Sequence, residues 1–350
     1  MQVGYTTLGD HLKDPVTGEY VSQAQRHRAI VEACVLAEQV GFDSVNLGEH
    51  HFCDYILSAP PVVLAAVAER TTHIRLSTAV TLAANNDPIR LAEDYSTLDL
   101  LSHGRAEIVA GRGNLYEHTF VAFGQDPRQS RQIFDEHVEL LLAALRESPV
   151  HWKGGRRPPF ENFTTQPRPF QATLPVWVGG GFSVDSAELA ARLGLGLMLP
   201  SILHRPEHFA PTVARYRERY AEHGHPAEGC RVGVISHTNV HRESQTARRL
   251  MQARLGHYFG WVGELLAIST PRAAEKGGMP FDFDRLTAGP TICGSPAEVL
   301  DRIGHVHEVL GHDTHLLMFD MGGAPAAEVS AMVELAGAEV LPFLPDRTTE

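Results

Sequence analysis

Short apolar runs bounded by Gly, Pro, Asn or Asp recur along the chain, and they limit its fold more than any other feature. Eight of them are strand-like, and several show almost no polar alternation, which is typical of strands covered on both faces in a parallel sheet. Helical patterns lie between them, including residues 24–40 and a segment that opens at Pro88. The strand-like runs are residues 2–8, 43–48, 74–80, 106–111, 175–180, 196–201, 231–240 and 315–320.

Eight strands alternating with helices predict an α/β fold, a single (β/α)8 TIM barrel that forms one domain over residues 1–350. Two connections are too long for simple crossovers. One spans residues 112–174, with a helix predicted at 131–147, and the other spans 241–314. These long insertions follow strands 4 and 7, which would place them at the C-terminal rim. The alternative is an open doubly wound sheet, but no Gly-x-Gly-x-x-Gly follows the first strand.

Composition and charge exclude several classes of protein. The chain has 30 basic and 42 acidic residues, a formal net charge of −12, which argues against a nucleic-acid partner. The longest strongly apolar run, residues 60–68, is shorter than the roughly 20 residues that span a membrane. Four scattered cysteines without Cys-x-x-Cys predict neither a disulfide framework nor a thiolate zinc site. We expect a soluble, cytoplasmic protein that binds no membrane.

Two consecutive histidines follow the second strand, at the end where barrel enzymes place their active sites. Because neighbouring strand residues point to opposite faces, only one of His50 and His51 can face the mouth. That histidine could act as a general acid or base near neutral pH. Both could equally be partly buried imidazoles bonded to loop carbonyls. The residues alone leave these two interpretations open.

A run of three glycines follows the fifth strand, and a helical pattern begins soon after it. Backbone N–H groups at such a turn can approach an anion, and the helix start adds a partial positive charge. Arg112 and Arg131 could neutralise a bound phosphate there. Three glycines can also simply make a tight left-handed turn. The residues of the candidate turn are Gly179, Gly180, Gly181, Phe182 and Ser183.

Twenty histidines call for a search for metal ligands. The spacing of His307, Glu308 and His312 is one residue longer than in His-Glu-x-x-His, so the two imidazoles would not share a helical face. His204 and His208 have the required spacing, but Pro206 lies between them. We therefore expect no metal site.

Glu49-His50-His51-Phe52, with the segment 37–45 before it, closely resembles the bacterial luciferase-like flavin-dependent monooxygenase family. The similarity spans almost the whole chain, and the joint order of its motifs is far more specific than any one of them. Its other segments are residues 87–94, 98–105, 111–113, 174–179, 294–298 and 340–343.

The resemblance implies a barrel that binds reduced FMN (FMNH2) at its C-terminal mouth. It makes His50 the acid/base beside the flavin, Arg112 and Arg131 the phosphate-binding arginines, and residues 180–186 the phosphate loop. That loop is one residue longer than in luciferase, and Gly181 and Phe182 replace an acidic–serine pair, which puts individual phosphate donors in doubt. Gly111 stands where luciferase has a reactive cysteine, so no nearby thiol is expected. The stretch implied to lie under the flavin ring, with a cis bond between its last two residues, is Thr78, Ala79 and Val80.

The function implied is a monooxygenase in which reduced FMN and O2 form a C4a-hydroperoxyflavin that oxygenates a small organic substrate. Candidate pocket residues, which could also be ordinary core, are Tyr116, His118, Phe259 and Trp261. No nicotinamide-binding fingerprint is present, so an NAD(P)H:flavin reductase is the expected partner, and the family likeness suggests a homodimer. The alternatives are a deazaflavin (F420)-dependent hydride-transfer oxidoreductase on the same fold and a non-catalytic flavin-binding subunit.

Overall fold

Parallel strands pair in a ring in the computed structural model, which describes residues 1–113, 115–180, 183–269 and 281–344. Gly181 and Phe182 of the predicted phosphate turn lie outside the described residues. The strands are β1 (Gln2–Thr7), β2 (Ser44–Leu47), β3 (Arg75–Thr78), β4 (Thr81–Leu82), β5 (Ile108–Gly111), β6 (Val150–Trp152), β7 (Phe160–Phe163), β8 (Val176–Gly179), β9 (Gly196–Leu199), β10 (Val232–Val240), β11 (Ile292–Gly294) and β12 (Thr314–Met318).

The helices pack around this ring, and the terminal ones bring the C-terminal part of the chain back against the N-terminal helix. They are α1 (Gln23–Gln39), α2 (Pro60–Ala68), α3 (Pro88–Leu101), α4 (Glu117–Ala122), α5 (Ser130–Arg146), α6 (Val184–Leu193), α7 (Pro206–Glu222), α8 (Ser244–Ser269), α9 (Phe283–Thr287), α10 (Pro296–Leu310) and α11 (Ala326–Glu339), with short 3-10 helices at Pro127–Gln129, Ala227–Gly229, Met321–Gly323 and Leu341–Phe343.

The strand order is that of a closed (β/α)8 barrel. Parallel pairing runs β3-β2-β1-β12-β10-β9-β8-β5-β4. We call each of the eight strand positions around the barrel a stave; β3 and β4 together form one of them, and β11 is not counted. A parallel bridge between Leu76 and Ala106 closes the ring. The Leu76 N–H donates to the Arg105 carbonyl at 2.9 Å, and the Leu76 carbonyl accepts from the Glu107 N–H at the same distance. The TIM barrel predicted from the eight apolar runs is confirmed, and each run contains one stave.

The long insertions also follow the fourth and seventh staves, as predicted. After β5 come α4, α5 and the antiparallel hairpin β6–β7, and after β10 come α8, α9 and β11, which adds to the C-terminal half of β10. The helices predicted at 24–40 and 131–147 each begin and end one residue earlier. Within the described residues, no helix is both long enough and apolar enough to cross a membrane.

Buried side chains form two layers. The larger lies between the barrel and its helices, and the smaller fills the barrel and continues into its mouth. Alternation along the strands separates them: Val176 and Val178 face the helices, whereas Trp177 faces the barrel interior. The inner layer joins residues deep in the barrel to aromatic side chains from α8, so the insertion after β10 packs directly over the mouth.

Candidate functional site

His50 lies at the C-terminal end of the barrel, just after β2. Its ring stacks on Tyr55 with centroids 4.1 Å apart, and Tyr116 meets it edge-on at 5.8 Å. The residue keeps some exposed surface, while its Nδ1 atom is buried and has no hydrogen-bond partner among the described residues. Burial, with a smaller contribution from neighbouring His51, lowers the pKa of His50 to about 3. At neutral pH the ring is therefore uncharged and only weakly basic.

His51 points away from the mouth into a separate hydrogen-bond network. Its Nε2 lies 2.8 Å from Oε1 of Glu49, a buried carboxylate that also accepts from the Leu82 N–H and from Nδ2 of Asn86, each at 2.9 Å. The network ties the loop after β2 to the loop after β4. The two histidines thus have different surroundings: His50 packs against Tyr55 and Tyr116, and His51 binds Glu49.

The mouth has an apolar ledge beside His50. The peptide bond between Ala79 and Val80 is cis, as the resemblance implies. The Val80 side chain occupies the space above two glycines: a Cβ at Gly111 would lie 2.1 Å from Val80 Cγ2, and one at Gly179 would lie 2.6 Å from Val80 Cγ1. Glycine is therefore required at both strand ends. Thr78 supports the ledge from behind, since its Oγ1 accepts from the Val109 N–H at 3.1 Å.

A cationic corner lies at the start of α6. Arg131 donates from Nη2 to the Asp185 carbonyl at 2.7 Å and from Nε to Asp135 at 3.0 Å. Arg112 is half-buried beside it. Desolvation, and then the charge of Arg131, lower the pKa of Arg112, while the carboxylates of Asp185 and Asp135 oppose that shift. The two guanidinium groups and the first turn of α6 thus converge, as expected of an anion site.

The predicted turn residues approach this corner from β8. The Gly180 N–H donates to the Met198 carbonyl at 2.9 Å, and a Cβ at Gly180 would lie 2.3 Å from that of Ser186. Ser183 precedes α6 in an extended conformation, and its side chain makes no capping hydrogen bond to the described backbone of that helix. Its hydroxyl is therefore not committed to the helix start and remains a candidate ligand for an anion.

The four predicted pocket residues lie in one group of aromatic side chains around Tyr55 and Tyr258. Tyr116 and His118 come from the segment after β5, and Nε2 of His118 lies 3.3 Å from the His51 carbonyl oxygen. Phe259 and Trp261 come from α8, where Phe259 is buried and Trp261 packs edge-on against Tyr55 with centroids 4.6 Å apart. Ring contacts connect these side chains to His50 through Tyr116 and Tyr55. The residues predicted to line a pocket therefore lie close to one another.

Sequence reasoning missed several residues of the mouth. Tyr55 and Tyr258 join the two sides of the site, and Cys53 packs against the same inner layer. A thiol therefore does lie close by, although not at Gly111. His237 is the other residue missed; its signal was a histidine within the apolar run 231–240. Among the described residues, no group of three His, Cys, Asp or Glu side chains could hold a metal ion.

This arrangement can bind an anion at one edge of the mouth and support a planar apolar group on the Val80 ledge. A neutral imidazole lies among aromatic side chains of the same inner layer that Val80 packs against. The ingredients are those of a site that positions a cofactor and a small organic molecule away from water.

Comparison with known proteins agrees with this geometry. The family model for luciferase-like monooxygenases matches residues 1–313. The chain is 26% identical over 347 residues to an alkanal monooxygenase alpha chain of Photorhabdus laumondii, covering 93% of this chain and 94% of the relative. It is 25% identical to the oxygenase component of a flavin-dependent trigonelline monooxygenase of Acinetobacter baylyi, covering 86% and 85%.

Solved structures show the same fold. The monooxygenase RslO1 from Streptomyces bottropensis superposes with a TM-score of 0.84 at 28% identity, covering 98% of this chain and 99% of that one. The oxygenating constituent of 3,6-diketocamphane monooxygenase from Pseudomonas putida, in complex with FMN, gives 0.79 at 20%, with the same coverage. A coenzyme F420 dependent tetrahydromethanopterin reductase from Methanopyrus kandleri gives 0.71 at 20%, again covering 98% and 99%. The chain belongs to the luciferase-like monooxygenase family.

Proposed function

We propose that the protein is the oxygenase of a two-component system, which uses reduced FMN and O2 to insert one oxygen atom into a small organic substrate. The observation that carries the proposal is the convergence of Arg112, Arg131 and the start of α6 at one edge of the Val80 ledge. A terminal phosphate at that corner would bring two negative charges to two guanidinium groups, with the flavin ring directed toward His50.

The residues present fit a flavin mononucleotide. The cationic corner suits a phosphate, and the ledge made by Val80 over Gly111 and Gly179 suits a planar ring. The buried Nδ1 of His50 has no hydrogen-bond partner among the described residues and is available to a bound group. When bound, reduced FMN would supply the electrons that activate O2, and one atom of that O2 would pass to the substrate.

The remaining tasks belong to the protein's own side chains. Arg112 and Arg131 would hold the phosphate, and Val80 would support the ring. His50, which is neutral at working pH, would accept and return a proton at the reacting centre, where a developing negative charge would raise its low pKa. The cover made by Tyr55, Tyr258 and neighbouring aromatic side chains would keep water out, which matters because water access favours release of hydrogen peroxide.

The activities named for the relatives support FMN over a deazaflavin as the cofactor. The relatives at 25–26% identity include a flavin-dependent oxygenase component, whereas the F420 enzyme shares 20% identity and therefore supports the fold alone. A deazaflavin coenzyme carries its phosphate as a singly charged diester that continues into a long tail. Two arginines match the charge of a terminal dianion better than that of a singly charged diester.

The proposal includes a reductase partner and self-association. An oxygenase component needs a separate supply of reduced flavin, for which an NAD(P)H:flavin reductase is the natural source. The helices α2 and α3 expose apolar side chains on one face: Val62 is 70% exposed and Leu101 48%. That face is continuous with the segment 56–68 and suits a second copy of the chain. Sedimentation equilibrium measures the mass, and a monomer at micromolar concentration would contradict the homodimer.

The decisive experiment is an anaerobic titration with reduced FMN, reduced riboflavin and reduced F420, followed by exposure to 18O2 and a panel of aldehydes, ketones and heteroatom compounds. We expect tight binding of FMN, much weaker binding of riboflavin, and one 18O atom in the product. Exclusive binding of F420 would establish the hydride-transfer alternative. Binding of FMN without oxygenated product or accelerated oxygen consumption would indicate a non-catalytic flavin-binding subunit.

A pair of histidine variants tests the role of His50. His50→Ala should leave the Kd for FMN nearly unchanged and reduce turnover on the order of 100-fold, because only the proton-transfer group is lost. His73→Ala is the control, since its side chain is exposed on the surface. Equal losses of FMN affinity and turnover in His50→Ala would mean that His50 is structural.

A further inference from the structure

The seventh stave of the barrel carries a histidine that none of these roles uses. A Cβ at Gly233 would lie 2.4 Å from Cε of Met198, and Ile235 packs with Met198 in the inner layer, so both face the barrel interior. Because side chains alternate along a strand, His237 faces the same way, two residues nearer the mouth.

His237 is fully buried, and neither ring nitrogen has a hydrogen-bond partner among the described residues. Buried polar atoms are nearly always paired, and an unpaired one destabilises the fold. Burial lowers the pKa of His237 to about 4, so the ring is neutral at pH 7. A neutral imidazole has one N–H donor and one acceptor nitrogen, which complement a hydroxyl or a carbonyl oxygen.

Another buried histidine shows what a structural imidazole looks like in this protein. His315 is also fully buried, but its Nε2 lies 3.0 Å from Ser236 Oγ and its Nδ1 lies 3.0 Å from Nε2 of His312. That ring is satisfied on both sides by the fold itself. His237 lacks such partners, which points to a group that arrives from outside the chain.

The surroundings of His237 indicate what that group belongs to. Tyr258 and Phe259 present their rings at steep angles to the imidazole, with centroids 5.6 and 6.1 Å away. Burial, the neighbouring Tyr116 and the carboxylates of Asp10 and Asp320 all raise the pKa of Tyr258. Arg26 pairs with both carboxylates and offsets one of their two negative charges. The remaining negative charge disfavours an anionic ligand, whereas the aromatic rings favour a planar apolar one.

His237 also lies across the barrel from the ledge. The stave made by β3 and β4 is the third of eight, and β10 is the seventh, so three staves lie between them in either direction around the ring. The two are therefore diametrically opposed. A ring seated on Val80 leaves the β10 side of the mouth to the second reactant.

We propose that His237 is a specificity-determining residue, which hydrogen-bonds a carbonyl or hydroxyl oxygen of an uncharged, ring-containing substrate whose apolar body lies against Tyr258 and Phe259. The inference rests on the proposed function and names the class of substrate that the site selects. It assigns His237 to substrate binding and leaves proton transfer with His50.

Four naphthalenes that differ in one substituent test this directly. 2-Acetylnaphthalene, 2-naphthol, 2-methylnaphthalene and 2-naphthoate are titrated anaerobically, by calorimetry, into the protein with and without bound reduced FMN. We expect the ketone and the naphthol to bind about tenfold more tightly than the methyl compound, as one buried hydrogen bond provides. The carboxylate should bind most weakly.

Variants separate a hydrogen bond from packing. His237→Leu should abolish the preference for the ketone over the methyl compound, while the Kd values for the methyl compound and for FMN stay within about twofold. His237→Gln, which keeps a donor and an acceptor, should retain part of the preference. Met318→Leu is the matched control, because Met318 pairs in register with His237 and packs in the inner layer; it should retain all of the preference.

Four outcomes would overturn the assignment. Equal binding of ketone and methyl compound by the unmodified protein, or no binding of any of the four, would refute the substrate class. Weaker FMN binding by His237→Leu would place His237 against the cofactor, and a uniform loss for all four compounds would make it structural. Failure to bind FMN would refute the proposed function alone, because the preference is also measured on the flavin-free protein.

Discussion

The hydroxyl oxygens of Tyr55 and Tyr258 lie 2.5 Å apart, although the residues are 203 positions apart in the chain. Tyr55 follows β2 and stacks on His50, while Tyr258 belongs to α8 and contacts His237. Burial raises the pKa of both phenols well above the usual value, so both remain protonated and one hydroxyl donates to the other. This hydrogen bond holds the insertion after β10 over the mouth of the barrel.

Tyr258→Phe should therefore loosen the cover without removing a ring. We expect the free energy of unfolding to fall by about 1–2 kcal/mol. A larger share of the oxygen consumed should be released as hydrogen peroxide, because water reaches the flavin more easily. Peroxide and oxygenated product are measured in parallel. Tyr216→Phe is the matched control, because the Tyr216 hydroxyl donates to the Leu195 carbonyl at 2.7 Å in the outer layer. This variant should lose stability but keep the same ratio of oxygenated product to O2 consumed.

Arg112→Ala should weaken FMN binding by about 1.5–3 kcal/mol, roughly 10- to 150-fold in Kd, through loss of charge-assisted hydrogen bonds to the phosphate. Riboflavin, which has no phosphate, should bind both forms equally. Arg112→Lys keeps the charge but loses the planar fork, so we expect an intermediate Kd. Arg70→Ala, which removes a half-exposed arginine paired with Glu32, serves as control. A riboflavin Kd that rises in step with that for FMN would place Arg112 away from the phosphate.

Much of the fold is readable from local sequence, because every stave is an apolar run flanked by turn residues. The predicted helices miss their true ends by one residue, since capping geometry and not periodicity sets where a helix begins. The helix that follows Ser295 shows the opposite case, because Ser295 and Glu298 form a capping box whose Ser-x-x-Glu spacing is visible in the sequence.

The candidate site was less accessible to sequence reasoning. His50, Arg112 and the glycine turn follow strands, so the barrel itself brings them to one end. Tyr55 and Tyr258 come from a loop and a long insertion whose docking depends on tertiary packing, which no local pattern reports. His237 was missed because the apolar run around it predicts a buried strand but does not show whether the histidine points into the barrel or toward the helices.

Gly111→Ala tests the close contact that forms the ledge. The added methyl group would lie 2.1 Å from Val80 Cγ2, so we expect a loss of about 1–3 kcal/mol in stability together with weaker FMN binding. Adding Val80→Ala removes the clashing atoms. The double variant should therefore be more stable than Gly111→Ala alone, a non-additive result that a thermal denaturation cycle detects.

A second glycine provides the control for that cycle. Gly304 lies inside α10, and a Cβ there meets no atom within 4 Å. Gly304→Ala should stabilise the protein by roughly 0.5–1 kcal/mol, as expected for alanine in a helix, and should leave FMN binding unchanged. Additive effects of Gly111→Ala and Val80→Ala would show that the two side chains do not compete for the same space.

Acid should destabilise the protein through its buried histidines. Burial lowers the pKa of His315 to about 3, and unfolding returns it to about 6.5. Between these values the unfolded chain binds more protons, so the free energy of unfolding decreases as pH falls, by up to about 1.4 kcal/mol per pH unit for each such group. Asp10 acts in the opposite sense, because burial raises its pKa to about 6 and stabilises the folded form at low pH.

His315→Gln isolates one contribution to this slope. The variant loses the hydrogen bonds to Ser236 and His312, so it should be less stable than the unmodified protein at pH 7. Between pH 6.5 and 4 the free energy of unfolding of the variant should fall less steeply, by up to about 1.4 kcal/mol per pH unit, because one fewer proton is taken up on unfolding. The free energies of unfolding of the two proteins should therefore approach each other in acid. Urea denaturation at half-unit pH intervals measures both curves. Parallel curves would mean that His315 titrates identically in the folded and unfolded chains, which its complete burial contradicts.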